Sequence, residues 1–195
     1  YELQQRIKGY ALSDDEITNQ RKQLYEESIY IDNGSYQMRP KGLVIPLTTS
    51  DIQETVLFAQ KFNASFSVKG GGHSARGYSL NPDIVLDMRY FNKTIVYEKE
   101  EQVSIQAGIR WDDLYAQIAP WVPVGGTCPH VGVIGFTLGG GYSMFSRSYG
   151  LGSDNVQLFE VVLPNGEYAL VTNDTNPDLF WALRGGGGGN YGVVI

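Results

Sequence analysis

Apolar positions fall in short runs along the chain, and the runs predict a series of small elements. Leu43-Val44-Ile45-Pro46 reads as a short strand that proline ends. Thr49 or Ser50 then caps a helix, with Glu54 placed to close a capping box. Ile52, Val56, Leu57 and Ala59 give that helix one apolar face, up to about Phe62. Phe66-Ser67-Val68 predicts the next strand, and Asp83-Ile84-Val85-Leu86-Asp87 a buried one. Residues 94–97 and 102–107 alternate and predict an antiparallel pair. A helix is expected from Trp111 to about Ala119, followed by an extended, proline-bounded piece over 120–124. Residues 132–153 read as loop, short helix, loop. Residues 157–164 and 168–172 predict two strands joined at Asn165-Gly166, a hairpin signal. Residues 176–184 predict a helix with Pro177 near its first turn, and residues 191–195 a final strand. Residues 1–30 are polar with few apolar positions. They predict a surface segment, with a helix start over 14–17 under a Ser13 cap.

Helices and mixed strands interleave, so the class is α+β, with two subdomains meeting near residue 125. The expected organisation is an N-terminal segment over 1–38 and a domain over 39–195, divided into about 39–124 and 125–195. The apolar run 191–195 has no turn or polar tail after it. The chain is therefore expected to be a piece of a longer protein, cut inside its sheet.

Composition narrows the partners. The chain has 195 residues, 42% of them hydrophobic, enough for a sizeable core. A net charge of −6 with 18% charged residues argues against nucleic acid or an anionic membrane surface as a partner. No apolar run approaches the length of a membrane span. The single cysteine excludes an internal disulfide and leaves the compartment open. Asn33-Gly34-Ser35, Asn63-Ala64-Ser65, Asn92-Lys93-Thr94 and Asn173-Asp174-Thr175 fit the glycosylation pattern, and this excess over chance points to a secreted glycoprotein.

Glycine carries the candidate chemistry. Phe66-Ser67-Val68 leads into Lys69-Gly70-Gly71-Gly72-His73-Ser74-Ala75-Arg76-Gly77-Tyr78. Consecutive glycines let backbone N–H groups crowd round one point, which suits a phosphate. The glycines are contiguous and no long helix pattern follows, so this is not a dinucleotide-binding Rossmann fingerprint. Gly125-Gly126-Thr127-Cys128-Pro129-His130-Val131-Gly132 holds the cysteine, and Thr137-Leu138-Gly139-Gly140-Gly141-Tyr142 follows it. A last glycine run covers 185–189. The neighbours of these four runs are Phe, Tyr, Val and Leu rather than the Ser and polar residues of a linker.

Together these motifs, over about residues 40–195, resemble the berberine-bridge-enzyme-like and oligosaccharide-oxidase branch of the flavoproteins. The resemblance implies the two-subdomain FAD-binding domain of the p-cresol methylhydroxylase or vanillyl-alcohol-oxidase type, without its substrate domain. It implies FAD joined to His73 at the ring's 8α-methyl and to Cys128 at its carbon 6. Lys69 stands where the family has Arg, keeping a positive charge beside the pyrophosphate without the bidentate fork. Gly70 stands where the family has Ser. Gly71, Gly72 and Ser74 complete the loop, and Tyr78 is placed along the cofactor or in the core. Gly132, Val133, Thr137, Gly139, Gly140 and Tyr142 match positions along the flavin and its phosphates, and Asn155 and Val194 positions near the ribityl or adenine half. Val131 matches a gate over the flavin at which valine goes with oxygen reactivity. His130 faces either the ring or a loop carbonyl and is assigned no role.

The activity implied is that of a secreted oxidase. It takes hydride from a sugar, oligosaccharide or other alcohol and returns electrons to O2 as H2O2. The general base is expected outside this chain, and no metal is expected. A dehydrogenase with a quinone-type acceptor, a non-catalytic flavin-binding antigenic protein, and a reductase holding FAD without a bond remain open.

Overall fold

The protein is seen in a computed structural model that describes residues 2–14, 19–31 and 37–195. β1 (Tyr10–Ser13), β2 (Gly42–Ile45), β3 (Phe66–Lys69) and β4 (Ile84–Asp87) form the first sheet, in the order β1-β2-β4-β3. β2 and β3 both run parallel to β4 and flank it, while β1 pairs antiparallel with β2. All four residues of β4 are buried, as a strand covered on both faces requires.

The surface role expected of residues 1–30 is corrected here. β1 adds to the sheet in the register Tyr10↔Ile45, and Leu3, Ile7, Leu12 and Tyr25 are buried. A four-residue edge strand with one inward side chain leaves too short a pattern to read. The helix start expected over 14–17 falls mostly, and the sequon at Asn33 wholly, outside the described residues. α1 (Asn19–Ile29) lies against this sheet through Tyr25, whose hydroxyl donates to the Pro40 carbonyl at 2.7 Å.

α2 (Thr49–Lys61) starts one residue earlier than expected. Thr48 is the cap, and Asp51 rather than Glu54 closes the box. Asp51 is also occupied from outside the helix. One carboxylate oxygen accepts from Lys8 N at 2.8 Å; the other accepts from Gly9, Leu47 and Thr48 N at 3.0, 2.8 and 3.1 Å. A Cβ on Gly9 would sit 2.2 Å from the Ile45 carbonyl oxygen, so only glycine lets the chain pass there. Burial works to raise the Asp51 pKa, but the donated bonds outweigh it and hold the carboxyl below its ordinary 3.8. The lowered folded value means that this stabilisation is present above the unfolded pKa and is lost as pH falls through the folded one. Asp51→Asn is expected to cost about 1.5–3 kcal/mol, read as a lower urea midpoint at pH 7. The gap between variant and wild type should close as pH drops below about 4.

The second half begins with the hairpin β5 (Thr94–Tyr97) and β6 (Gln102–Ile105), then α3 (Trp111–Ile118). α4 (Val133–Leu138) and α5 (Ser146–Tyr149) occupy the stretch expected to hold one short helix. β7 (Phe159–Val162) pairs antiparallel with both β8 (Tyr168–Val171) and β9 (Val193–Val194), and α6 (Pro177–Leu183) packs on them. The halves share a core. Val162, Val193 and Ile195 pack in one cluster with Val44, Ile52, Val56 and Leu86. Such side chains contribute about 1.5–3 kcal/mol each when fully buried. The Gln53 side chain adds a bridge, donating to the Gly166 carbonyl at 2.7 Å.

Candidate functional site

α4 is the piece round which the glycine runs gather. At its start, Gly132 lies against Gly71: a Cβ on Gly71 would meet Gly132 N at 2.2 Å, and a Cβ on Gly132 would meet Gly71 N at 2.4 Å. The loop of His73 and the loop of Cys128 thus touch backbone to backbone, which two side-chain-bearing residues would forbid. At its end, Gly187 N donates to the Leu138 carbonyl at 2.9 Å, and Gly140 N and Ser153 N bond the Thr137 and Gly140 carbonyls, each at 3.0 Å. Six helical residues span only about 9 Å, so all four runs converge on a short segment.

Two kinds of glycine bear on the site. Gly71, Gly132 and Gly108 are pressed against backbone, whereas a Cβ on Gly135 or Gly189 would meet nothing within 4 Å. Gly140 and Gly187 have positive φ and a single neighbour, at 3.7 Å in each case. The first kind locks loops together; Gly135 and Gly189, both exposed, leave backbone facing open space, as a large ligand needs. Two concavities adjoin α4. One, of about 800 Å³, is lined by Gly70, Gly71, His73, Arg89, Arg110 and His130 among others. The other, of about 1350 Å³, is lined by Val133, Thr137, Asn155 and Val194 together with Trp111, Tyr149 and the β5–β6 hairpin.

Lys69 lines the first concavity beside Gly70 and Gly71, but its ammonium already has partners. It is buried and donates to the carbonyls of Ser28 at 2.6 Å, Tyr30 at 2.8 Å and Glu27 at 3.3 Å, at the end of α1. A cation suits the carbonyl end of a helix. Burial brings the Lys69 pKa down to about 8 against the pull of Asp87, 3.9 Å away. Arg89 completes the knot, donating to Asp87, Glu27 and the Ser28 hydroxyl. The charge expected beside a pyrophosphate is therefore committed to α1.

The remaining expected residues are placed as follows. Gly72 is at φ 75° and folds back over the Lys69 side chain. The Ser74 hydroxyl accepts from Tyr78 N at 3.0 Å, closing the loop beyond His73, and the Tyr78 ring is exposed. Cys128 is exposed. Val131 is half-buried against the cluster of Ile109, Trp111 and Val133. Gly139 and Tyr142 lie exposed beyond α4. The Asn155 amide donates to the Tyr149 and Leu151 carbonyls at 2.9 and 2.8 Å, holding that loop's shape. Val194 is buried in β9.

α3 supplies what the sequence reading missed. Trp111 N donates to the Val131 carbonyl and Asp112 N to the Pro129 carbonyl, so the cysteine loop is seated on the first turn of this helix. Gly125 and Gly126 lie flush on the Trp111 ring, and the Tyr115 hydroxyl donates to the Gly126 carbonyl at 2.7 Å. This seating brings His130 Nδ1 to 3.2 Å from Asp112 Oδ2. The one hint in the sequence is the pair of acidic residues opening α3. No cluster of metal-binding side chains occurs among the described residues.

Comparison with known proteins agrees with this arrangement. Residues 40–171 match the family model described as an FAD binding domain. The chain is 38% identical over 160 residues to the FAD-dependent monooxygenase tpcD of Cochliobolus heterostrophus, covering 80% of the chain and 31% of that protein. It is 35% identical over 164 residues to berberine bridge enzyme-like 16 of Arabidopsis thaliana, covering 80% and 30%. Among solved structures, 6-hydroxy-D-nicotine oxidase from Arthrobacter nicotinovorans superposes with a TM-score of 0.88 at 31% identity, covering 96% of the chain and 41% of the enzyme. The xylooligosaccharide oxidase from Myceliophthora thermophila C1, in complex with xylobiose, gives 0.85 at 30%, covering 99% and 41%. The chain thus spans about a third of those curated relatives and two fifths of those solved chains.

Proposed function

The chain belongs to the FAD-binding domain family, with the fold of the p-cresol methylhydroxylase or vanillyl-alcohol-oxidase type, and on that premise we propose that it is the FAD-binding part of a secreted oxidase acting on a sugar, an oligosaccharide or another alcohol. The reading rests on one observation above the others. The loop of His73 and the loop of Cys128 meet at the Gly71–Gly132 contact, beside a cavity of about 800 Å³.

In this reading His73 and Cys128 hold the flavin ring covalently, and the backbone of Gly139, Gly187 and Gly189 lies along the rest of the cofactor. Bound FAD supplies a two-electron acceptor that takes hydride from a C–OH group and is reoxidised by O2, giving H2O2. The residues of this chain bind and orient it. His73, Gly70 and Gly71 present one loop to the cavity, and Val133, Thr137, Asn155 and Val194 line the neighbouring cleft. Val131 is the gate over the ring. The base that takes the substrate's hydroxyl proton lies on another segment of the protein.

The full-length flavoprotein mixed anaerobically with xylobiose, cellobiose or chitobiose should lose its yellow absorbance. On admission of air it should regain colour and release one H2O2 per flavin. Bleaching without peroxide, with turnover restored by a quinone, would identify a dehydrogenase instead. No bleaching by any sugar or simple alcohol would remove the oxidase reading.

A further inference from the structure

A cysteine reacts as its thiolate, and an unassisted thiol with a pKa of about 8.5 is mostly protonated at neutral pH. Cys128 is exposed and is the one cysteine of the chain. Val131 N donates to the Cys128 carbonyl at 3.3 Å, so Cys128 and His130 share one turn. Their Cα atoms are at most about 7 Å apart. The same turn is fixed from below, where Asp112 N and Trp111 N donate to the Pro129 and Val131 carbonyls at 3.0 and 3.2 Å. Asp112 therefore holds the turn through its backbone and meets His130 Nδ1 through its carboxylate at 3.2 Å. His130 also lines the cavity with His73.

We infer that the Asp112–His130 pair is the acid–base couple that takes the thiol proton of Cys128 when this cysteine is joined to the flavin. The inference rests on the proposed double attachment. It assigns a role to a histidine and an aspartate that the cofactor-binding reading leaves without one.

The chemistry follows the nucleophile, base and orienting-acid pattern. A carboxylate on Nδ1 favours the tautomer with its proton there, which leaves the Nε2 lone pair as the acceptor. Among the described residues, the other titratable and charged groups at the same cavity are Arg110, which caps α3, Asp113 from α3, His73 from the glycine loop, Lys69, Asp87 and Arg89 from the end of the first sheet, and Glu26, Glu27 and Tyr30 from the end of α1. Over the whole attachment one C–S bond forms, and the S–H bond and the ring C6–H bond break. Two electrons and two protons leave to O2 as H2O2, so the thiol, the ring and the oxidant balance.

The test follows the fate of Cys128 in the full-length protein rather than its activity. Wild type, His130→Gln and Asp112→Asn are expressed, denatured, alkylated with iodoacetamide and digested. The peptide with Cys128 is then weighed as flavin adduct or as alkylated thiol. Wild type should give adduct. His130→Gln should give at least tenfold less, and Asp112→Asn an intermediate amount, with the His73 adduct unchanged in both. Incubating the His130→Gln holoprotein aerobically at pH 9.5 should restore the Cys128 adduct, because the thiol then ionises without help; a loop that had lost its shape would not recover. Full adduct in His130→Gln at pH 7, or no rescue at pH 9.5, overturns the assignment. Wild type with flavin on His73 but a free Cys128 thiol overturns the double attachment, and this inference with it.

Discussion

The His73→Ala/Cys128→Ala double variant is expected to lose all of its flavin on acid precipitation, while wild type and each single variant keep one FAD per chain. A covalent bond survives unfolding, whereas contacts made by folded loops do not. Intact mass after denaturation separates the cases without any need for a substrate. Each single variant keeps the other attachment, because the two reacting side chains stand on separate loops, packed backbone to backbone at Gly71 and Gly132. Flavin freed from wild type by acid would show a cofactor held by folding alone and would remove the roles given to both side chains.

Gly71→Ala should have the second-largest effect, on the fold and the site together. The new methyl would lie 2.2 Å from Gly132 N and 2.7 Å from Gly132 Cα. Both are backbone atoms, which no rotamer change can move aside. One loop must shift by more than an ångström, against the bonds that seat residues 129–131 on α3. Overpacking of this kind costs about 1–3 kcal/mol. Here it also pulls the His73 loop off the Cys128 loop, so flavin content should fall along with the thermal midpoint. Gly135→Ala is the matched comparison. It sits in α4 with nothing within 4 Å of the added carbon, and should leave the midpoint unchanged or raise it, since alanine exceeds glycine in a helix by about 0.5–1 kcal/mol. A midpoint for Gly71→Ala equal to wild type would show that the loop contact is looser than described.

Much of the local architecture was legible because its causes are local. The apolar run at residues 43–45, the alternation at 94–97 and 102–105, and the Asn165-Gly166 turn each sit within a window that fixes their geometry. The contiguous glycines were legible as loops, and their wording carried the family. The cap of α2 was misplaced because Glu54, the acid expected to close the box, lies too far along from Thr49 or Ser50 to be their N3 residue. The box that formed has an acid able to accept from Lys8 and Gly9, more than 40 residues away. β1 was missed for a related reason: its place follows from pairing with β2, not from any pattern of its own.

The candidate site divides along the same line. Residue type alone determined which groups could serve: a histidine after three glycines, a lone cysteine in a glycine-bounded turn, backbone-rich loops in place of a linker. Tertiary structure alone decided where charge and acid–base groups point. Lys69 stands directly before the glycine loop in sequence, yet its ammonium is taken by carbonyls at and just beyond the end of α1, about 40 residues earlier. His130 gains its carboxylate from the first turn of α3. A side chain's type and its neighbours along the chain set what it can bond. Which partner it reaches depends on folds of the backbone that bring distant residues within about 3 Å of each other, and no window of sequence contains them.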